Sequence, residues 1–360
     1  MYNFSMRNIK KEKAVVFTGG GSGGHVVPAL TLIEKLKEKG VRIYYIGSYT
    51  GIESKLTEGK VNRYIAVSTG KLRRYLDWQN VTDVFRLVIG LIQCFYYLAH
   101  IRMRANTIVS MGGFVSVPTV IAGKLLGYKI IVHEQTSRVG LANKIASLFA
   151  HRVFVSFRDS LKYFPEKVVR YSGYPVRDEF KTTQLKTRTF KGIELKDSEA
   201  PLFFVTGGGN GSKLLNDKIK ANLDSLTKQF VVIHQVGSQY IDEYKTLESS
   251  RYYPVAFLGD EMPDLMKAAK YIISRSGAGT VAELIAIGKP SLYIPLKIAQ
   301  KNEQYHNAME ANRLLGSVVI TEDEFGSCDL LQEIKKIPSH ATPQDREHAS
   351  EIILKEILQS

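Results

Sequence analysis

The chain has few cysteines, few tryptophans and no long apolar run. Of its 360 residues, 2 are Cys (Cys94 and Cys328) and 1 is Trp (Trp78). Two thiols cannot form a disulfide framework, and so low a count suits a reducing compartment. The longest apolar stretch, LVIGLIQCFYYLA at 87–99, is interrupted by Gly90 and Gln93 and is too short to span a bilayer. The opening MYNFSMRNIKKEK is basic but has no apolar core, so it does not read as a signal peptide. No G-x-x-x-x-G-K-[ST] segment is present, which excludes a Walker-type phosphate loop. A convincing D-x-D pair is also missing, because Glu322-Asp323-Glu324 sits in an acidic stretch away from the glycine-rich segments. No metal and no cofactor are therefore expected.

Acidic residues are scarce in one half only. Residues 1–170 hold 26 Lys and Arg against 10 Asp and Glu, and residues 171–360 hold 23 against 25. The cationic half suits an anionic surface such as phospholipid, nucleic acid or a pyrophosphate-bearing acceptor. Its basic residues are scattered rather than interleaved with stacking aromatics, which argues against nucleic acid. Lys71, Arg73 and Arg74 stand beside Tyr75, Leu76 and Trp78, just ahead of the 87–99 stretch. That combination fits a helix lying at a membrane interface, although core packing explains the apolar residues equally well.

Glycine is plentiful, and its placement is informative. The apolar run Ala14–Phe17 leads into GGGSGGH at 19–25, a loop whose backbone N–H groups can approach an anion closely. Strand-like runs at 14–18, 42–46, 107–110, 129–133, 152–156, 202–206, 230–234, 271–274 and 291–294 alternate with helical patterns. In VVPALTLIEKLKEKG, Pro28 falls in the first turn and Gly40 closes the helix. This alternation predicts parallel sheets covered by helices. AVVFTGGGSGG at 14–24 is echoed by LFFVTGGGNGS at 202–212, which predicts two Rossmann-like α/β domains, each opening on its own glycine loop. The expected division is 1–172 and 173–343, with a final helix at about 344–360 packing back on the first domain.

Gly19, Gly21 and Gly24 satisfy G-x-G-x-x-G, but the second strand ends Tyr45-Ile46-Gly47-Ser48 without the acid that holds a dinucleotide ribose. The second loop lacks one too. Two further segments, SMGGFVSVP at 110–118 and SRSGAGTVAELIAIGKPSLYIPL at 274–296, fit a nucleotide-sugar better. Thr280 and Glu283 have capping-box spacing, so Glu283 reads either as a cap or as a carboxylate receiving both hydroxyls of a ribose.

TGGGSGGHVVPAL, GKLRRY, SMGGFVSVP, VHEQTSRVGLANK, GYPVR, TGGGNGSKLLN, SRSGAGTVAE and NEQYHNA occur in this order across nearly the whole chain. In this the chain resembles the MurG family, glycosyltransferases that move N-acetylglucosamine from UDP-GlcNAc to lipid I. The resemblance implies a GT-B architecture, with two Rossmann-like domains facing across a cleft, and a protein peripheral to the cytoplasmic face of the bacterial membrane. It assigns Ser22, Gly23, Gly24 and His25 to a loop facing donor sugar and acceptor diphosphate. It also assigns Thr136, Arg177, Gly209, Asn216 and Gln304 to the donor side. Arg275, Ala278, Gly279, Thr280, Val281, Ala282 and Glu283 fall in the run holding uridine and diphosphate. Gly112, Gly113, His133, Glu134 and Asn143 fall on the acceptor side, and Lys71, Arg73, Arg74 and Trp78 at the membrane. Thr136, Tyr174, Gly209-Asn210 and Glu303 depart from the family's usual residues.

The implied reaction is a single inverting displacement that needs a base and a stabilised leaving diphosphate. Backbone N–H groups, a helix dipole and Arg275 are expected to stabilise that charge. His25 is the candidate base, or else only a donor to the diphosphate, with Glu134 the alternative base. Other readings are a related UDP-sugar transferase acting on a different lipid, a UDP-GlcNAc 2-epimerase, and a non-catalytic membrane-surface binder.

Overall fold

The computed structural model describes residues 13–70, 79–182, 184–196, 198–299, 302–339, 341 and 349–359. The chain divides into two compact units. The first runs to Gln135, resumes over Val139–Pro175 and takes in the C-terminal helix. The second comprises Thr136–Arg138 and Val176–Arg346. The boundary thus lies at Pro175–Val176 rather than at 172–173.

The first unit is a seven-stranded, all-parallel sheet. Its strands are β1 (Ala14–Thr18), β2 (Arg42–Ser48), β3 (Arg63–Val67), β4 (Ala105–Ser110), β5 (Lys129–Glu134), β6 (Arg152–Val155) and β7 (Val169–Tyr171). Their order is β3-β2-β1-β4-β5-β6-β7. Val15, Val16 and Phe17 of β1 are all buried because both faces of the strand are covered. On one face lies the Gly23–Glu38 helix, which presents Ala29, Leu32, Ile33 and Leu36 to Phe17, Ile43 and Tyr45. The Ala349–Leu358 helix inserts Ile353, Leu354 and Ile357 into the same cluster. Glu356 of that helix is held by Lys129 at 2.7 Å and Arg152 at 3.4 Å.

The other face is covered by the Gln79–Ile101 and Ser116–Leu125 helices. The first of these buries Gly90, Cys94 and Leu98, yet leaves Phe85, Val88, Ile89, Ile92, Phe95 and Tyr96 exposed. Ile92 is 64% and Phe85 66% exposed, so the helix buries one stripe and leaves a second, apolar stripe exposed.

The second unit carries a small antiparallel hairpin, β8 (Thr189–Phe190) with β9 (Ile193–Glu194). Its main sheet has six parallel strands: β10 (Leu202–Thr206), β11 (Val231–Gln235), β12 (Tyr252–Val255), β13 (Tyr271–Ser274), β14 (Leu292–Tyr293) and β15 (Val318–Val319). Their order is β12-β11-β10-β13-β14-β15. Phe203 and Val205 of β10 face one apolar cluster and Phe204 the other, so this strand is also buried on both sides.

In both sheets the order reverses beside the first strand, between β1 and β4 and between β10 and β13. Loops leaving the carboxyl ends of such strand pairs splay apart and leave a crevice for a ligand.

Candidate active site

At the first reversal, two glycine-rich loops interlock. Gly20 N–H donates to Gly112 O at 3.2 Å, and a Cβ on Gly113 would run into the Gly20 carbonyl. Gly112 and Gly113 have φ of 91° and 82°, a region L-residues rarely enter, so glycine is required on both counts. The 19–22 turn is further pinned from below. Tyr45 Oη donates to Gly19 O at 2.8 Å, and Gly21 N–H donates to Glu53 Oε2 at 3.1 Å. Glu53 is 1% exposed, and its other oxygen accepts from Ser48 N (3.0 Å) and Ser48 Oγ (2.6 Å).

The helix then begins at Gly23, earlier than the apolar pattern suggests, with Ser22 at its N-cap and no side-chain cap. A Cβ on Gly23 would meet nothing within 4 Å. First-turn N–H groups lack intrahelical acceptors, so this open end can receive an anion. His25 stands in the same turn, with Nδ1 3.0 Å from Gln135 Oε1.

Beside it, Glu134 is 2% exposed and accepts from Asn143 Nδ2 (3.0 Å) and Gly140 N (3.4 Å). Asn143 Nδ2 also reaches His133 O, while its buried Oδ1 has no hydrogen-bond partner. Tyr174 packs edge-on against His133, with ring centroids 6.4 Å apart.

At the second reversal, Gly208 and Gly211 turn the chain with φ of 83° and 74°. Gln235 fastens this loop by donating to Gly208 O at 2.8 Å. After β13 the chain turns through Arg275, Ser276 and Gly277 into the Ala278–Ala286 helix. Its N-cap is Gly277, with no side-chain cap. The capping-box reading of Thr280 and Glu283 therefore fails, because the helix starts three residues too early for Thr280 to cap it.

Glu283 instead meets Arg177, with Nη2 to Oε1 at 3.3 Å. Burial pushes its carboxyl up to about 6, with Arg177 pulling the other way. Arg177 also lies over the Phe180 ring at 5.1 Å, and its buried Nε has no hydrogen-bond partner.

The Glycosyltransferase family 28 N-terminal domain matches residues 15–155, and the Glycosyltransferase family 28 C-terminal domain matches residues 202–359. A Clostridium botulinum (strain Langeland) protein is 38% identical over 327 residues, covering 89% of this chain and 90% of the relative. It is named UDP-N-acetylglucosamine--N-acetylmuramyl-(pentapeptide) pyrophosphoryl-undecaprenol N-acetylglucosamine transferase. The chain belongs to the MurG family.

Among solved structures, Acinetobacter baumannii MurG superposes with a TM-score of 0.68 at 22% identity, covering 95% of this chain and 99% of that one. A putative UDP-N-acetylglucosamine 2-epimerase from Listeria monocytogenes follows at 0.66 and 12% identity, covering 96% of each chain. These likenesses establish the GT-B fold that MurG proteins share with other enzymes.

Several residues that the MurG resemblance placed at the site are engaged with partners inside the protein. Asn216 is fully buried, donating to Val236 O at 3.0 Å with its oxygen 3.1 Å from His234 Nε2, so it fixes the loop from within. Arg275, expected on the diphosphate, is tied to Glu322 at 2.7 Å, Ser212 Oγ at 3.1 Å and Ile294 O at 3.0 Å. The acidic stretch is therefore not remote from the glycine loops, since its first residue clamps Arg275. Ala278, Val281 and Ala282 bury their side chains, which leaves only backbone to offer a ligand. Glu134 is locked under Asn143, a poor position for a base.

Gly209 is exposed on its loop, Gly279 and Thr280 are half-buried, and Gln304 accepts from Leu296 N at 3.1 Å. The Thr136 hydroxyl donates to Arg138 O at 2.7 Å. Lys71, Arg73, Arg74 and Trp78 lie outside the described residues. Glu53 and Gln135 were missed as support for the first loop. Gln135 lies inside the VHEQTSR motif, whereas Glu53 is marked only by its place just after a strand and a glycine.

Proposed function

We propose that this protein transfers N-acetylglucosamine from UDP-GlcNAc to the muramoyl-peptide diphospho-undecaprenol acceptor, lipid I, with inversion, forming lipid II. The observation that carries this is the kinship with transferases of that activity over 89% of the chain, both glycine loops lying inside the matched family domains.

Donor UDP belongs to the second unit. Glu283 accepts the two ribose hydroxyls, and the open helix end at Gly277–Thr280 receives the diphosphate. Acceptor diphosphate belongs to the first-turn N–H groups around Ser22–Gly24. His25 takes the proton of the acceptor hydroxyl as that oxygen bonds to the anomeric carbon. The bond from that carbon to the diphosphate oxygen breaks on the opposite side, and its electron pair leaves with UDP. One displacement converts an α-linked donor into a β-linked product.

Membrane attachment is peripheral in this reading, at the cytoplasmic face, where UDP-GlcNAc is available. No described helix is long and apolar enough to cross a bilayer. The exposed stripe Phe85–Tyr96 supports seating in the interface, and the cationic charge of the first half supports attraction to anionic lipid. Incubation with UDP-GlcNAc and a short-chain lipid I analogue tests the reaction. A β-linked disaccharide is expected; an α-linked one, or UDP release without disaccharide, would contradict the mechanism.

A further inference from the structure

Gln135 is 1% exposed and stands between two imidazoles. Its Oε1 lies 3.0 Å from His25 Nδ1. Its Nε2 lies 3.1 Å from both His133 Nδ1 and the His133 carbonyl oxygen. That carbonyl settles which way the amide points. Only the NH₂ end can face a carbonyl oxygen, so the oxygen end faces His25. An amide oxygen only accepts, so His25 Nδ1 must carry a hydrogen. A neutral imidazole has one N–H, which leaves Nε2 as the nitrogen with the lone pair.

The far end of the chain is equally determined. His133 Nδ1 accepts from Gln135, so the His133 proton sits on Nε2, 3.4 Å from both Gly173 O and Ser156 Oγ. Burial holds the His133 pKa down to about 4, which keeps this ring neutral at working pH and its tautomer constant.

We infer that Gln135 is a positioning residue that holds His25 in its Nδ1–H tautomer and presents the Nε2 lone pair to the acceptor hydroxyl. The inference rests on the proposed transfer reaction with His25 as base. In serine-protease triads a carboxylate does this job for the imidazole. Here a neutral amide does it without adding negative charge beside a loop that must accept a diphosphate. When His25 takes the proton, its Nδ1–H···Oε1 bond becomes charge-assisted and stabilises the imidazolium.

The first test reads the unsubstituted protein and uses a variant only for assignment. In ¹⁵N-histidine-labelled protein above its titration, with His25 assigned by comparison with His25→Ala, the His25 signals should be those of an Nδ1–H imidazole. An Nε2–H pattern would overturn the inference. The second test is a cycle of His25→Ala, Gln135→Leu and the double variant. Gln135→Leu should lower kcat by roughly 10²-fold, the lower end of what a placed base supplies, with donor KM unchanged. The double variant should be no slower than His25→Ala alone. If Gln135→Leu slows the His25→Ala enzyme as much as the wild type, its role is structural and the inference fails. If His25→Ala keeps near-normal kcat, the base assignment fails first, whatever tautomer the spectrum shows.

Discussion

Arg177 and Glu283 face each other at 3.3 Å across a largely buried contact, with 12% of the Glu283 side chain exposed. One residue comes from the GYPVR segment and the other from the helix after β13, and both were expected at the donor. The pairing explains how a carboxyl raised by burial is kept available as an acceptor. Arg177 offsets part of the desolvation that brings it to about 6.

The pH dependence follows from that direction. Ribose hydroxyls donate to a carboxylate, so donor KM should rise as pH falls through about 6, and Glu283→Gln should abolish the trend. Donor affinity thus falls as pH falls, and the stability of the free protein should move the opposite way. A folded pKa above the ordinary glutamate value of 4.5 gives a contribution that is present at low pH and lost as pH rises through about 6. Arg177→Ala should move the binding limb to higher pH. Donor affinity that holds or rises as pH falls through about 6 would remove Glu283 from the ribose.

Glu283→Ala should weaken UDP-GlcNAc binding about tenfold or more, since each charge-assisted hydrogen bond is worth about 1.5–3 kcal/mol. Because Gly277 caps the helix, no capping loss should accompany it. Calorimetric titration alongside a thermal melt separates the two effects. Unchanged donor affinity would contradict the assignment.

Two glycines of the interlocked loops should behave oppositely. Gly113→Ala drives a Cβ into the Gly20 carbonyl at φ 82°, so stability should fall by roughly 1–3 kcal/mol. Gly23→Ala enters open space in a helical turn, so stability should hold or rise by up to about 1 kcal/mol. Its turnover should nonetheless fall, by roughly 10²-fold if the acceptor diphosphate is displaced by an ångström, while UDP binding persists. A Gly23→Ala enzyme with full turnover would show that the open helix end is not used.

For the membrane, Phe85→Ser with Ile92→Ser should weaken binding to phosphatidylglycerol vesicles by about 3 kcal/mol or more, in low and high salt alike. Replacing Lys71, Arg73 and Arg74 by Gln should cost about 1 kcal/mol per charge, and only at low salt. Co-sedimentation at two salt concentrations reads both arms. If the apolar variant binds like the wild type, the exposed stripe on Gln79–Ile101 is not the membrane face.

The central strands were legible because burial on both faces leaves continuous apolar runs such as LFFV. Every strand of the two main sheets that the pattern missed, β3, β7, β12 and β15, lies at a sheet edge. Edge strands are short and mixed in character: β3 begins with Arg63, and β12 contains Pro254, which a central strand would not tolerate. The glycine loops were legible because their need is local, a backbone turn and a close approach. The side chains that fix them were not. Glu53 reaches Gly21, Glu322 reaches Arg275 and Asn216 reaches His234 only after the sheets bring distant segments together. A motif marks Arg275 and Asn216 as belonging to the site without saying whether they touch the ligand or hold what does.

The most direct measurement is transfer of labelled N-acetylglucosamine from UDP-GlcNAc to a short-chain lipid I analogue. It should be run beside a lipid diphosphate lacking the muramoyl peptide and beside other UDP-sugars. The account predicts disaccharide product with lipid I and UDP-GlcNAc, and loss of kcat by roughly 10²–10⁴-fold in His25→Ala. Absence of disaccharide from folded, UDP-binding protein, or preferred transfer to the lipid without muramoyl peptide, would contradict it.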